Sequence, residues 1–383
     1  MRIAIDGYEA NVVQRLGSSQ VAFELLKNLE KIDKKNEYII FLQNAPLDDL
    51  PKERMGWQYK ILKPSKLWTR IALPLALYTT KKKPDLIFSP THYIPRFSPV
   101  KRVVTIFDLS FLHFPEMFER GDLYKLKNWT KYSAQTSDHI ITISNFSKLD
   151  IVKQYFVSKN KITVSYPGFN SEVYKVIKDI KKISAAQKKY KTGQNYIIYI
   201  GTIQPRKNLV RLIEAFAKLA EEKFGELRDQ LKLVIVGKTT GPGKSGWMYE
   251  DILQRPKQLQ IEDKVIFTGF VPTEDLVFLL NGSRAFVLPS LWEGFGIPVV
   301  DAMACGVPVV VSNISSLPEV VGDAGLLFDP YSKDQIEQAI RMILTDKKLA
   351  NKLINLCLER SKKFSWEKMA KDVLKVFKGV ANE

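Results

Sequence analysis

Cysteine is nearly absent: the chain of 383 residues has two, Cys305 and Cys357. Two thiols in helix-like surroundings build no disulfide framework, and both read as small buried hydrophobes. Long apolar runs are missing as well. No window reaches 18 uninterrupted apolar residues, so no membrane-spanning helix is expected. No signal peptide precedes the first strand-like run, which starts at Arg2, and the expected location is cytoplasmic. No Asp-x-Asp pair offers itself to a metal ion. Acids are few: 41 Asp and Glu face 58 Lys and Arg, a net charge of +17 with a pI of about 9.5. The imbalance is uneven, because residues 1–178 hold 28 bases against 17 acids. An anionic partner for this half is one reading, either nucleic acid or an anionic membrane leaflet. Lysines on solvated faces, serving solubility, are the plainer one.

What is present fits packed domains. The apolar fraction is 45%, ordinary for chains with real cores, and the length suggests two domains. Short apolar runs alternate with helical periodicity from end to end, which implies an α/β protein of two doubly wound halves. Residues 3–5, 38–42, 85–89, 103–107, 139–143 and 162–165 read as strands of the first half, with residues 44–64 irregular. The Lys-rich stretch 175–194 reads as the link between domains. The second half restarts at residues 196–200 and continues through strands at 231–236, 265–268, 286–288 and 307–312.

The chain is organised around residues 286–330. An apolar strand ends at Pro289, a turn holds Glu293, Gly294 and Gly296, a short helix starts near Pro298, and Gly306 stops it. A Gly-rich turn opening a helix offers free N–H groups and a positive dipole end to an anion. A carboxylate there would repel phosphate, so Glu293 fits better as an acceptor for sugar hydroxyls, with Asp301 eight residues on. The bland alternative is an ordinary βαβ unit whose acids face solvent. Arg206 and Lys207, in a loop between the strand ending at Ile200 and the next helix, suit a diphosphate: a planar fork beside a point charge. Gly17 and Ser18 precede a helix and form a second candidate phosphate site, or else a turn and a cap. Asp108 follows a strand, where α/β proteins bind ligands, and could equally cap the next turn. His113, next to Phe114 and Pro115, reads as structural. The loop at 239–247 resembles a phosphate loop only loosely and lacks the Walker spacing, which argues against an ATPase.

Two surface stretches leave alternatives open. Residues 66–78 are apolar on most sides, hold Trp68 and are followed by Lys81, Lys82 and Lys83. They read either as a helix buried in the first domain or as a membrane-surface helix. Residues 120–137 interleave bases with Tyr124, Trp129 and Tyr132, which suits nucleic-acid stacking, an acceptor or a lipid-facing surface.

The order of residues around Glu293 is more specific than any single feature. Glu293-Gly294-Phe295-Gly296-Ile297-Pro298, an acid at 301, then 302–304 and 306–310, resembles the donor-site signature of the family 4 retaining glycosyltransferases. That signature has two acids separated by seven residues; here the second is Asp301. The family also carries the Arg206–Lys207 pair after Gly201, and the Ser316–Glu319 stretch is similar. Where relatives often have His-Asp, this chain has Phe107-Asp108.

The resemblance implies the GT-B fold, two Rossmann-like doubly wound domains facing a central cleft. The expected domains are 1–178 on the acceptor side, 179–362 binding the nucleotide sugar, and 363–383 as a helix crossing back to the first. It implies retaining, metal-independent transfer of a hexose to a hydroxyl of a glycan or lipid-linked acceptor. GDP-mannose is the favoured donor and a UDP-sugar such as UDP-glucose the next, with no other cofactor required. Arg206, Lys207 and Glu293 are the implied catalytic residues. Gly17, Ser18, Asp108, Gly201, Gly237, Lys238, Val271, Gly294, Phe295, Gly296, Ile297 and Asp301 would bind the donor. Peripheral contact with an anionic membrane through the basic first domain is part of the same expectation, and nucleic acid is the less favoured partner. The competing readings are another GT-B sugar-nucleotide enzyme, an epimerase or a phosphorylase, and a noncatalytic basic protein that binds RNA or membrane. A phosphorylase would need a pyridoxal lysine, for which no pattern is seen.

Overall fold

The computed structural model describes residues 1–221, 231–238 and 249–382. The loop at 239–247, weighed above as a phosphate loop, lies outside them. By their contacts the residues form two compact units. The first comprises Met1–Gly168 with Ser365–Glu383, and the second Phe169–Phe364.

The first unit holds strands β1 (Arg2–Asp6), β2 (Glu37–Leu42), β3 (Trp57–Ile61), β4 (Leu86–Ser89), β5 (Lys101–Thr105), β6 (His139–Thr142) and β7 (Ile162–Val164). They form one sheet in the order β3-β2-β1-β4-β5-β6-β7, parallel throughout. The second unit holds β8 (Tyr196–Ile200), β9 (Lys232–Val236), β10 (Val265–Gly269), β11 (Ala285–Leu288), β12 (Val309–Ser312) and β13 (Gly325–Phe328). Their order is β10-β9-β8-β11-β12-β13, again parallel. Continuous apolar strands such as Phe286–Leu288 and Val309–Val311 are fully buried because helices cover both faces of a parallel sheet. In each sheet the winding reverses once, between β1 and β4 and between β8 and β11. Ligands of open α/β sheets sit outside the carboxyl ends of the strands at such reversals.

Two strands escaped the periodicity. β3 falls inside the stretch read as irregular, and β13 follows the turn after β12. Both are edge strands. β3 buries Trp57 but leaves Gln58, Lys60 and Ile61 exposed, so the sequence WQYKI shows no apolar run. The stretch 175–194 carries one short helix. Asp179 caps the helix Ile180–Lys189, and Lys189 Nζ and Tyr190 Oη bond Asp275 at 2.6 and 2.8 Å, docking it within the second unit. The last helix, Trp366–Asn382, packs against Ser18–Ile32 and the first sheet, with Phe377 against Phe88 at 5.1 Å between ring centroids.

Residues 66–78 prove to be a π-type turn, Trp68–Ala72, running into the helix Leu73–Thr79. One face joins the core of the first sheet: Trp68, Ala72, Leu73, Ala76 and Leu77 pack with Ile39, Phe41 and Ile87. Among the described residues no helix is long and apolar enough to cross a membrane.

Candidate active site

The carboxyl ends of β8 and β11, at the reversal of the second sheet, bring together residues far apart in sequence. After β8 the chain turns at Gly201 and makes one 3-10 turn, Pro205–Lys207, before the helix Leu209–Glu221. After β11 it makes the Glu293 turn and enters the helix Ile297–Ala304. The two turns are tied by backbone and side chain. Leu291 N–H donates to Arg206 O at 2.9 Å, and the Arg206 guanidinium donates to Trp292 O.

Lys207 Nζ donates to Glu293 Oε1 at 2.5 Å, and Arg206 Nη1 lies 4.0 Å from Oε2. Ser290 Oγ donates to the same Oε1 at 2.7 Å. The backbone at 293 is also held: its N–H donates to Ser315 Oγ at 3.1 Å, and Ser316 Oγ donates to its carbonyl at 2.9 Å. Burial would raise the pKa of Glu293, but Lys207 and Arg206 outweigh it and hold the carboxyl below its ordinary value. Glu293 is therefore a fixed carboxylate beside two cations.

Asp301 sits in the same helix and behaves oppositely. Burial pushes its carboxyl well above the ordinary range, and no donor among the described residues reaches it.

The glycines have geometric work. Gly296 has φ 98° and caps the helix at Ile297, which a side chain would strain. The N–H groups of Gly294 and Gly296 meet no acceptor among the described residues. A Cβ on Gly237 would fall 1.8 Å from Gly201 O, so the chains leaving β8 and β9 touch backbone to backbone. Lys238 follows and stands over the Phe270 ring at 5.6 Å. Val271 is buried in the next turn, and Phe295 is buried against Phe364 at 5.4 Å.

Arg206, Lys207, Glu293, Gly294, Phe295, Gly296, Ile297 and Asp301 thus surround the β8–β11 reversal. Gly17, Ser18 and Asp108 belong to the first unit. Gly17 has φ 56° and caps the helix Ser18–Ile32 without a side-chain bond. Asp108 Oδ1 accepts from Ser110 N–H at 2.7 Å, so one oxygen caps the next turn. His113 Nε2 lies 3.0 Å from both oxygens of Asp150, a structural pairing.

Sequence reasoning gave no role to Asn208, Ser290 or Ser315, and marked Ser316 only as part of a family-like stretch. Asn208 is buried in the left-handed region at φ 59°, and its Nδ2 donates to Pro289 O at 3.0 Å and Pro330 O at 2.7 Å. It clamps the turns after β11 and β13 beside Arg206 and Lys207. A lone Asn ending a basic turn gives no sign of partners 81 and 122 residues away.

Comparison with known proteins fits this geometry. Residues 180–356 match the family model of glycosyl transferases group 1, and residues 17–173 that of glycosyltransferase family 4. The chain is 33% identical over 296 residues to O-antigen chain mannosyltransferase B of Escherichia coli, covering 77% of this chain and 74% of that one. It is 30% identical over 237 residues to the serotype-specific mannosyltransferase WbdA of Escherichia coli, 62% of this chain but 28% of that longer protein. In structure it resembles Anabaena HepE, solved with UDP and glucose, at a TM-score of 0.76 and 20% identity over 98% of this chain and 99% of that one, a likeness of fold. The chain belongs to the group 1, family 4 glycosyltransferases, mannosyltransferase-like in sequence and GT-B in fold.

Proposed function

We propose that the protein transfers a hexose, mannose ahead of glucose, from a nucleotide sugar to a hydroxyl of a glycan or lipid-linked acceptor. Configuration is retained and no metal ion is needed. GDP-mannose is the favoured donor and UDP-glucose the next. The observation that carries the reading is the Lys207–Glu293 contact, with Arg206 alongside, at the β8–β11 reversal. Mannosyltransferase relatives support the sugar; a neighbour holding UDP and glucose keeps the alternative open.

In this reading Arg206 and Lys207 take the diphosphate and offset the charge that grows as it leaves. Fixed cations in a largely dry site do so without reorganising. Free N–H groups at Gly294, Gly296 and the start of the helix at Ile297 add to the same field. Glu293, already ionised, accepts from the sugar hydroxyls, and Asp301 accepts from the ribose. Gly17 and Ser18 in the first unit are proposed donor contacts, as are Asp108, Gly201, Gly237, Lys238 and Val271. The bond from the anomeric carbon to the phosphate oxygen breaks. The acceptor oxygen bonds to the same face, and its proton passes to the departing phosphate. The nucleotide diphosphate leaves with both bonding electrons.

The test is thermal shift and slow donor hydrolysis across GDP-, UDP- and ADP-sugars, with and without EDTA. One nucleotide is expected to stabilise the protein, with an effect lost in Arg206→Ala and Lys207→Ala and insensitive to EDTA. Silence toward every donor, with salt-sensitive RNA binding instead, would overturn the enzyme. Loss in EDTA would overturn the metal-free mechanism, and an inverted product would overturn retention.

A further inference from the structure

The second sheet has a free edge away from its reversal. β10 is its outermost strand and pairs with β9 alone, in register from Val265 with Leu233 to Phe267 with Ile235. The far side of its backbone meets no other strand among the described residues. Native sheets cover, charge or bulge such an edge, because its unpaired N–H and C=O groups are a template for another chain. The register slips after Phe267, so Thr268 falls in a bulge and ends the regular row.

An open cavity of about 510 Å³ lies along this row, lined by the four consecutive strand residues from Val265 to Thr268. Lys189, Tyr190 and Lys191, where the helix Ile180–Lys189 ends, line it too, with Lys232 and Asp263. Lys189 is paired with Asp275 at 2.6 Å. Lys191 is exposed and holds a left-handed backbone at φ 56°, and Lys232 Nζ donates to its carbonyl at 3.3 Å. Lys191 and Lys232 make no ion pair among the described residues. The cavity therefore joins a row of strand backbone to two cations, with Asp263 as the one acid that lines it among the described residues.

We infer that the β10 edge takes up an extended acidic segment of a partner protein as an added strand, whose carboxylates meet Lys191 and Lys232. In strand addition the backbone bonds supply affinity and alternate side chains supply specificity. A second copy of the chain fits poorly, because a two-fold pairing of β10 with itself sets each copy's lysines against the other's. A small anion would use the lysines and leave the strand wall without a partner. No residue lining the cavity is assigned to donor binding, so docking and transfer fail separately.

The experiment is fluorescence anisotropy of the full chain with a labelled peptide of alternating Glu and Val. A Lys-Val peptide and a backbone N-methylated Glu-Val peptide, which keeps its charge and loses its N–H donors, are the comparisons. The Glu-Val peptide is expected to bind, more weakly as salt rises, and the other two are not. Lys191→Glu with Lys232→Glu should weaken binding about tenfold or more, since it sets like charges against each other. Lys347→Glu with Lys348→Glu, an equal charge change on the exposed start of the helix Lys347–Ser361, should leave it unchanged. Thermal melting of both variants checks that they fold. An unbound Glu-Val peptide would overturn the inference and leave the lysines as guards of the edge. So would equal binding of the N-methylated peptide, equal loss in the two double variants, displacement of the peptide by inorganic phosphate at constant ionic strength, or a dimer in light scattering that the peptide dissociates.

Discussion

The two sheets reverse in the same way, yet their reversals are furnished with opposite chemistry. At β8 and β11 a carboxylate is held ionised: Lys207 and Arg206 keep Glu293 below its ordinary pKa against the effect of burial. At β1 an acid is shifted the other way. Burial pushes Asp6 up to about 7, although Trp68 Nε1–H and Tyr8 N–H donate to its Oδ1 at 2.9 and 3.3 Å. Beyond β4, burial lowers the pKa of His92 against the pull of Asp108, and its Nδ1 finds no partner among the described residues. Topology therefore decides where a ligand edge lies, and the side chains decide its polarity. The second unit sets two cations beside a buried carboxylate. The first buries Asp6 and His92, where burial disfavours the charged form of each.

The largest effect should come from breaking the charged reversal. Lys207→Ala leaves Glu293 buried beside a more distant Arg206, and losing one partner of a buried pair costs about 3 kcal/mol. Transfer should fall by about two to three orders of magnitude if the site works as proposed. Replacing both partners, as Lys207→Met with Glu293→Gln, should restore much of the stability and none of the transfer. Chemical denaturation beside a transfer assay separates the two, and a double variant no more stable than the single one would break the comparison.

Confined to stability, with no direct effect on transfer, is a pH signature of opposite slope at the two edges. Asp6 has a raised folded pKa, so its contribution is complete below the unfolded value near 4 and is lost as pH rises toward about 7, on the order of 4 kcal/mol. Glu293 has a lowered folded pKa, so its contribution is present above the unfolded value and is lost as pH falls through the folded one. Melting temperature against pH should therefore show a decline between pH 4 and 7 that Asp6→Asn flattens and Glu293→Gln does not. A decline that survives Asp6→Asn would refute the upward shift at Asp6.

The smallest effect sharpens the comparison structurally. Asn208→Ala removes two hydrogen bonds to the Pro289 and Pro330 carbonyls, and should cost about 2 kcal/mol in denaturant unfolding. Because the clamp belongs to the second unit, the first-unit transition, if resolved, should not move.

Much of this was legible in the sequence because it is local. Apolar runs with the strand period fell where β1, β2, β8 and β11 lie, and Gly296 and Pro298 marked the helix start that the backbone confirms. The edge strands β3 and β13 were not legible, since a strand with one partner and solvent on its flank need not be apolar. For residues 66–78 the sequence left two readings that the fold does not choose between, because burying one face of a short apolar segment leaves the other outside.

By itself the sequence determined the alternation of strands and helices, the family signature around Glu293, and the presence of an Arg–Lys pair next to a turn. These depend on neighbours within a few residues, whose backbone preferences and periodicity are written in order. Only the tertiary structure decided that Lys207 meets Glu293, 86 residues on, that Ser290, Ser315 and Ser316 hold that carboxylate and its backbone, and that Asp301 is buried with no donor among the described residues. Those contacts follow from β8 lying next to β11, and strand order is set by how whole faces pack, which no local window contains.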